Sequence, residues 1–150
     1  MTDLPAAPLF LLHVAAAKVG NVLAAALAAT GLKVEDAVVL NQIDQLEPVT
    51  PSALSARLGI SPSTLTYRLR GLERDGLLAR RANPGDGRSA LLELSADGRA
   101  RWDTCRPVWL EAVRSIEREL TIPAGEVLDV LRELARAADA VATGSSPPSA

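Results

Sequence analysis

The chain has 150 residues, 48% of them apolar, a single cysteine and a formal net charge of −2 at pH 7. That is the length of one ordinary domain with enough apolar side chains for a real core, and a lone cysteine excludes an intramolecular disulfide, as expected in a reducing compartment. The charge is uneven: residues 1–50 carry two lysines against five acids, residues 51–101 nine arginines against five, and residues 102–150 five arginines against eight. A basic middle between acidic ends suits a face meant for a polyanion, although composition alone favours ordinary surface charge.

Asp3, with no Lys or Arg before Lys18, argues against a secretory signal. From about Pro8 to Thr30 the chain is apolar nearly all round at helical spacing, and Gly31 is a natural stop. A helix apolar on every side must be buried on every side, which in so short a chain is easiest if a second chain covers one face. The stretch Leu9–Leu32 is mostly alanine and is interrupted by His13, Lys18 and Asn21. A membrane span needs about 20 strongly apolar residues, so none is expected, and the chain reads as soluble and cytoplasmic.

A second helix is expected over Val34–Leu46, with Ala37, Val39, Leu40, Ile43 and Leu46 inward, Asp36, Asn41, Asp44 and Gln45 outward, and Pro48 as its end. Two short helices then start alike. Thr50 and Ser61 are N-cap residues, Pro51 and Pro62 take the first helical positions, and Gly59 and Gly76 close them. With only Gly59 and Ile60 between helix end and next cap, this is a helix-turn-helix. Leu77–Ala82 and Ser89–Leu94 read as two strands of a hairpin. Ser95 caps a long helix containing Pro107, which is expected to kink it. A last helix runs from about Pro123 to Thr143, with Val127, Leu131, Leu134, Ala138 and Val141 at near-heptad spacing, and residues 144–150 read as a disordered tail.

The fold class is therefore mainly α with a small β-hairpin wing: a winged helix-turn-helix at residues 32–98, with its second helix at about 62–75 and its wing at about 77–94. A helix at 1–31 precedes it, and a long helix and a terminal helix follow at 95–143. If Leu65, Leu69 and Leu72 are the buried seam of the second short helix, 100° per residue puts Ser63, Tyr67, Arg70 and Arg74 on the opposite stripe. Thr64 and Thr66 lie on its shoulders, and Arg68 nearer the core side. Hydroxyls, a phenol and guanidinium groups can address base edges and phosphates, and the first residues of such a helix go deepest into the major groove. Ser61, Ser63, Thr64, Thr66, Tyr67 and Arg70 are thus the candidates at that end and for bases, and Arg57, Arg68 and Arg74 for phosphates. The same pattern also fits a winged helix that binds protein and never touches DNA.

The turn Asn83-Pro84-Gly85-Asp86-Gly87-Arg88 is longer than the two residues a hairpin needs. The extra length gives it reach beside the second helix, where Arg88 gains from the negative potential of the adjacent minor groove. Asp86 is expected to accept hydrogen bonds from the Arg88 guanidinium and hold its fork.

Leu32–Gly98 resembles the MarR family of winged-helix regulators, through "LKVEDAVVLNQI", "TPSALSARLGISPSTLTYRLRGLERDGLLARR" and the wing "NPGDGRSALLELSADGR". The family's wing pattern maps onto Asp86, Arg88, Leu94, Ser95 and Gly98. The resemblance implies a homodimer, with the first and last helices of two subunits interleaved for dimerisation. It also implies repression, or occasionally activation, at a pseudo-palindromic operator in double-stranded DNA, and release by a small aromatic or other apolar effector. With one Phe and one Tyr the chain is poor in the aromatics such a pocket uses, and the first helix lacks the sensing cysteine of some relatives.

Trp102, Cys105, Arg106 and Trp109 share one helical face, for packing or dimer contact before a ligand wall. Trp102, Trp109 and His13 are the ligand-binding candidates. Cys105 reads as a small buried hydrophobe rather than a sensor. One His and one Cys far apart do not make a structural metal site. No nucleophile-base constellation or phosphate-cradling glycine loop is present, so neither an enzyme nor a cofactor is expected.

Overall fold

The computed structural model describes residues 7–144; the expected tail lies outside the described residues except for Gly144. Among the described residues, six α-helices and one hairpin follow in the expected order: α1 Ala7–Leu27, α2 Val34–Leu46, α3 Pro51–Leu58, α4 Pro62–Arg74, β1 Leu78–Ala82, β2 Ala90–Leu94, α5 Ala96–Arg118 and α6 Ala124–Ala142. A 3-10 turn, Ala28–Thr30, extends α1 to Gly31. The chain divides into two compact units, and the division falls inside α5, between Val113 and Arg114.

In the first unit, capping fixes the two short helices. Thr50 Oγ1 accepts from the Ala53 N–H at 3.2 Å and Ser61 Oγ from the Thr64 N–H at 3.2 Å, satisfying donors a helix start leaves open. Gly59, at φ +63°, makes the left-handed turn between them, a conformation that costs other residues a clash at Cβ. Ser55 Oγ donates to the Ile60 carbonyl at 2.6 Å and holds the turn from below. The core joins Leu40 and Ile43 of α2, Leu54 of α3, Leu65, Leu69 and Leu72 of α4, Leu92 and Leu94 of β2, and Trp102 and Cys105 of α5. Trp102 and Cys105 are fully buried, and the Trp102 and Trp109 rings meet edge-on, 6.5 Å apart. Trp102 and Cys105 thus pack in the core, and Cys105 is a buried free thiol.

The hairpin is antiparallel with Leu78 opposite Leu94 and Ala82 opposite Ala90. Val49 adds a one-residue third strand: it donates to the Leu92 carbonyl at 3.2 Å and accepts from the Leu92 N–H at 2.8 Å. Ser95 Oγ caps α5 by accepting from the Gly98 N–H at 2.9 Å, and α5 runs on through Pro107 without interruption.

Three expectations about α1 and α2 are modified. Leu46 is exposed rather than part of the inner stripe, while Asp36 and Asp44 are half-buried in ion pairs rather than facing out. Within one chain, among the described side chains, α1 buries only Leu23 and Leu27, leaving Leu9, Phe10, Leu11, Val19 and Val22 exposed. Pro8–Thr30, with mean hydropathy 1.7, is long and apolar enough to cross a membrane by length and composition. The interruptions by His13, Lys18 and Asn21 therefore do not exclude a span by themselves. In the second unit, α6 has no buried residue and exposes Leu128, Val130, Leu131 and Val141.

Candidate nucleic-acid interface

The leucine seam of α4 is completely buried at Leu65, Leu69 and Leu72. Burial of this seam turns the opposite stripe outward: Ser63, Thr64, Thr66, Tyr67, Arg70 and Arg74 are all exposed, Tyr67 at 81%. At the N-terminus Ser61 Oγ shares hydrogen bonds with Ser63 Oγ at 2.9 Å and Thr64 Oγ1 at 2.8 Å. Ser61 thus serves as cap and hydroxyl hub, and Ser63 and Thr64 are held beside it.

The arginines differ in how far they are already engaged. Arg68 faces Asp36 of α2 at 3.8 Å and is half-buried; burial lifts the Asp36 carboxyl above its ordinary pKa, against the pull of Arg68 and Lys33. Arg74 lies 3.8 Å from Asp75, and Arg57 donates to Gln42 Oε1 at 3.3 Å. Among the described residues Arg70 and Arg88 have no ion-pair partner and are exposed.

The wing turn is built differently from the expectation. Asp86 Oδ1 accepts from the Arg88 backbone N–H at 3.0 Å, not from its guanidinium. Asn83 repeats the device, accepting from the Gly85 N–H at 3.0 Å and donating through Nδ2 to Ser89 Oγ at 2.8 Å. Asp and Asn favour this local bond because their short side chains reach the backbone two residues on. Asp86 therefore shapes the turn, and the Arg88 head is left free at its far end.

The sequence reading missed the bonds that tie the wing down. Glu73, at the end of α4, pairs with Arg80 of β1, and Glu93 pairs with Arg81 at 2.8 Å across the hairpin. The first joins the wing directly to the helix beside it. At the wing's base, Asp44 and Glu47 of the α2 end meet Arg99 of α5.

An open cleft of about 900 Å³ lies behind α4, lined by Lys33 and Asp36 of the α2 start, by Tyr67, Arg70 and Arg74, and by Arg101 of α5. None of the ligand candidates lines it. Trp102 is sealed in the core with its Nε1–H on Asp44 Oδ2 at 3.2 Å, Trp109 packs against that core, and His13 lies on the exposed α1 surface.

The MarR family profile matches residues 30–89. The HTH-type transcriptional repressor Rv2887 of Mycobacterium tuberculosis is 31% identical over 118 residues, covering 78% of this chain and 85% of the relative. The chain belongs to the MarR family. A shorter match, 36% over 59 residues, is to the repressor YetL of Bacillus subtilis; it covers 39% of this chain and only 35% of that protein. Among solved structures, the M. tuberculosis regulator MosR in complex with DNA superposes with a TM-score of 0.78 at 30% identity, covering 88% of this chain and 96% of MosR. A MarR mutant from E. coli complexed with operator DNA gives 0.75 at 27%, covering 90% and 98%. The part of this chain left outside the MosR match is shorter than the 21 residues of α1. At least some of α1 therefore has a counterpart in a DNA-bound transcriptional regulator. The family is one of transcriptional regulators rather than enzymes.

Proposed function

We propose that this chain is a homodimeric DNA-binding transcriptional regulator, in the repressor sense of its named relatives, acting in the compartment of the chromosome. The carrying observation is the α4 surface: a stripe of hydroxyls, a phenol and guanidinium groups turned outward by a fully buried leucine seam, with the unpaired Arg88 on the wing beside it. In this reading α4 lies in the major groove, its N-terminal hydroxyls, Tyr67 and Arg70 address bases, and Arg57 and Arg74 hold phosphates. Arg68 contributes less than its charge suggests, because Asp36 already engages it. Arg88 enters the adjacent minor groove. The uncovered apolar faces of α1 and, separately, of α6 support pairing with a second copy, since apolar patches of this kind mark interaction surfaces.

Arg88→Ala is expected to weaken binding to a preferred duplex by about tenfold or more, the scale of ~1–3 kcal/mol for a good specific contact. Fluorescence anisotropy measures it, and an unchanged dissociation constant would remove the wing from the mechanism.

The family member CouR is seen with p-coumaroyl-CoA bound, and small-molecule release belongs to the proposed function here. The cleft behind α4 is its place, because an occupant touching Tyr67, Arg70 and Arg74 takes the same side chains from DNA. A compound seen in that cleft with duplex still on α4 would overturn this placement.

A further inference from the structure

The base of the wing carries a bond that the helix-turn-helix pattern does not account for. Val49 pairs with Leu92 in an antiparallel bridge, so the residue in register with Leu94, two further along β2, is Glu47. The Glu47 backbone does not continue the ladder: its N–H closes the last turn of α2 on the Ile43 carbonyl at 2.8 Å instead of pairing with β2, and the Leu94 N–H bonds to the Glu47 side chain rather than to a backbone carbonyl. N–H groups two residues apart on a strand point to the same edge, and the Leu94 N–H would lack an acceptor where the third strand stops. Glu47 supplies one from its side chain: Oε2 accepts from the Leu94 N–H at 2.8 Å. Its other oxygen, Oε1, accepts from the Arg99 guanidinium on the first turns of α5. Arg99 reaches on to Asp44 Oδ1 at 3.3 Å, and Asp44 Oδ2 takes the Trp102 Nε1–H.

We propose that Glu47 is a positioning residue for the wing, a side-chain continuation of the third strand that locks β2 to α2 and α5 and so sets the direction in which Arg88 points. The position needs two acceptor oxygens on a chain long enough to span the gap left when the backbone turns away. It also needs a charge, since a bond between ionised partners is shorter and stronger than a neutral one. The far end of the wing has only its own turn bonds. A lever held at its base by Glu47 beside the Val49–Leu92 bridge, and at β1 by Glu73–Arg80, keeps Arg88 in register with α4; without the Glu47 bond β2 keeps that bridge but its end loses the tie to Arg99 of α5 and can shift. Glu47 lies far from the α4 stripe in sequence and need not touch DNA to affect binding.

This inference rests on the reading of Arg88 as a DNA contact, and a double-mutant cycle separates the two. Duplex affinity is measured for the full-length chain, Arg88→Ala, Glu47→Ala and the double variant, at a temperature where melting curves show each folded. Glu47→Ala is expected to weaken binding about tenfold when Arg88 is present and less than about threefold when Arg88 is absent, because residues acting through one another are not additive. Exchange of the Leu94 amide with solvent should accelerate in Glu47→Ala. Where Glu47→Ala fails to fold, Glu47→Gln takes its place; it keeps an acceptor for Leu94 and loses the charge pairing with Arg99, so the same pattern appears with a smaller loss. Equal losses in both backgrounds would overturn the positioning role while leaving Arg88 as a contact. No loss in Arg88→Ala alone would overturn the wing contact and the positioning role with it.

Discussion

Replacing Gly98 with alanine is expected to destabilise the chain by about 3 kcal/mol or more, the upper end of what overpacking usually costs. A Cβ at this position would lie 1.9 Å from the Leu77 carbonyl oxygen, 2.8 Å from its carbon and 3.1 Å from its Cα. These are backbone atoms, so no rotamer change relieves the contact. The carbonyl is also in use, accepting from the Ser95 N–H at 3.1 Å. The Gly98 N–H is itself held by Ser95 Oγ, which donates in turn to the Gly76 carbonyl at 2.5 Å. The end of α4, the start of β1 and the first turn of α5 therefore meet at one close-packed joint, and an added methyl group must push α5 away from the wing. At about 2–4 °C per kcal/mol for a chain of this size, the melting midpoint should fall by roughly 6–12 °C. A midpoint within about 2 °C of the parent would show that the joint yields easily.

The second large effect is on DNA. With Arg57 and Arg74 of each of two subunits on phosphates and Arg88 of each in the minor groove between them, about six cationic groups displace counterions, and the slope of log affinity against log salt should be close to −5. Raising salt from about 50 to 200 mM then weakens binding on the order of a thousandfold. The chain carries net negative charge overall, so general attraction to a polyanion does not explain such a slope; only local presentation of the basic segment does. Anisotropy titrations across that range measure it, and a slope near zero would contradict an interface built on these arginines.

Much of this was legible in the chain itself because its signals are local. Thr50, Pro51, Ser61 and Pro62 mark helix starts within a few residues of where the capping bonds form. The spacing of Leu65, Leu69 and Leu72 decides which side of α4 faces out, and all three are buried. What was not legible depends on partners distant in sequence. Asp36 and Asp44 occupy outward positions by helical periodicity, yet Arg68 lies 32 residues from the first and Arg99 lies 55 from the second, and these pairs draw the carboxylates half inside. Glu47 lies between the expected end of α2 at Leu46 and Pro48, and its bond to Leu94 exists only once the third strand has been placed. Asp86 illustrates a competition that spacing alone cannot decide. Its carboxylate had two donors on the same residue, and the nearby backbone N–H took it because that bond orders no long side chain. The tryptophans share a face as read; Trp102 is buried in the core and Trp109 packs against it, and neither lines the cleft beside α4.

The central claim is that α4 and the wing of two paired subunits read a DNA sequence. Selection of bound duplexes from a random pool by the full-length protein, followed by sequencing, tests it most directly. An inverted repeat should emerge, with half-site centres about 10 base pairs apart, one turn of the double helix, and its preference should blur when Arg70 is replaced by alanine. A pool that stays random through successive rounds, at a salt concentration where the protein is folded and paired, would contradict the claim.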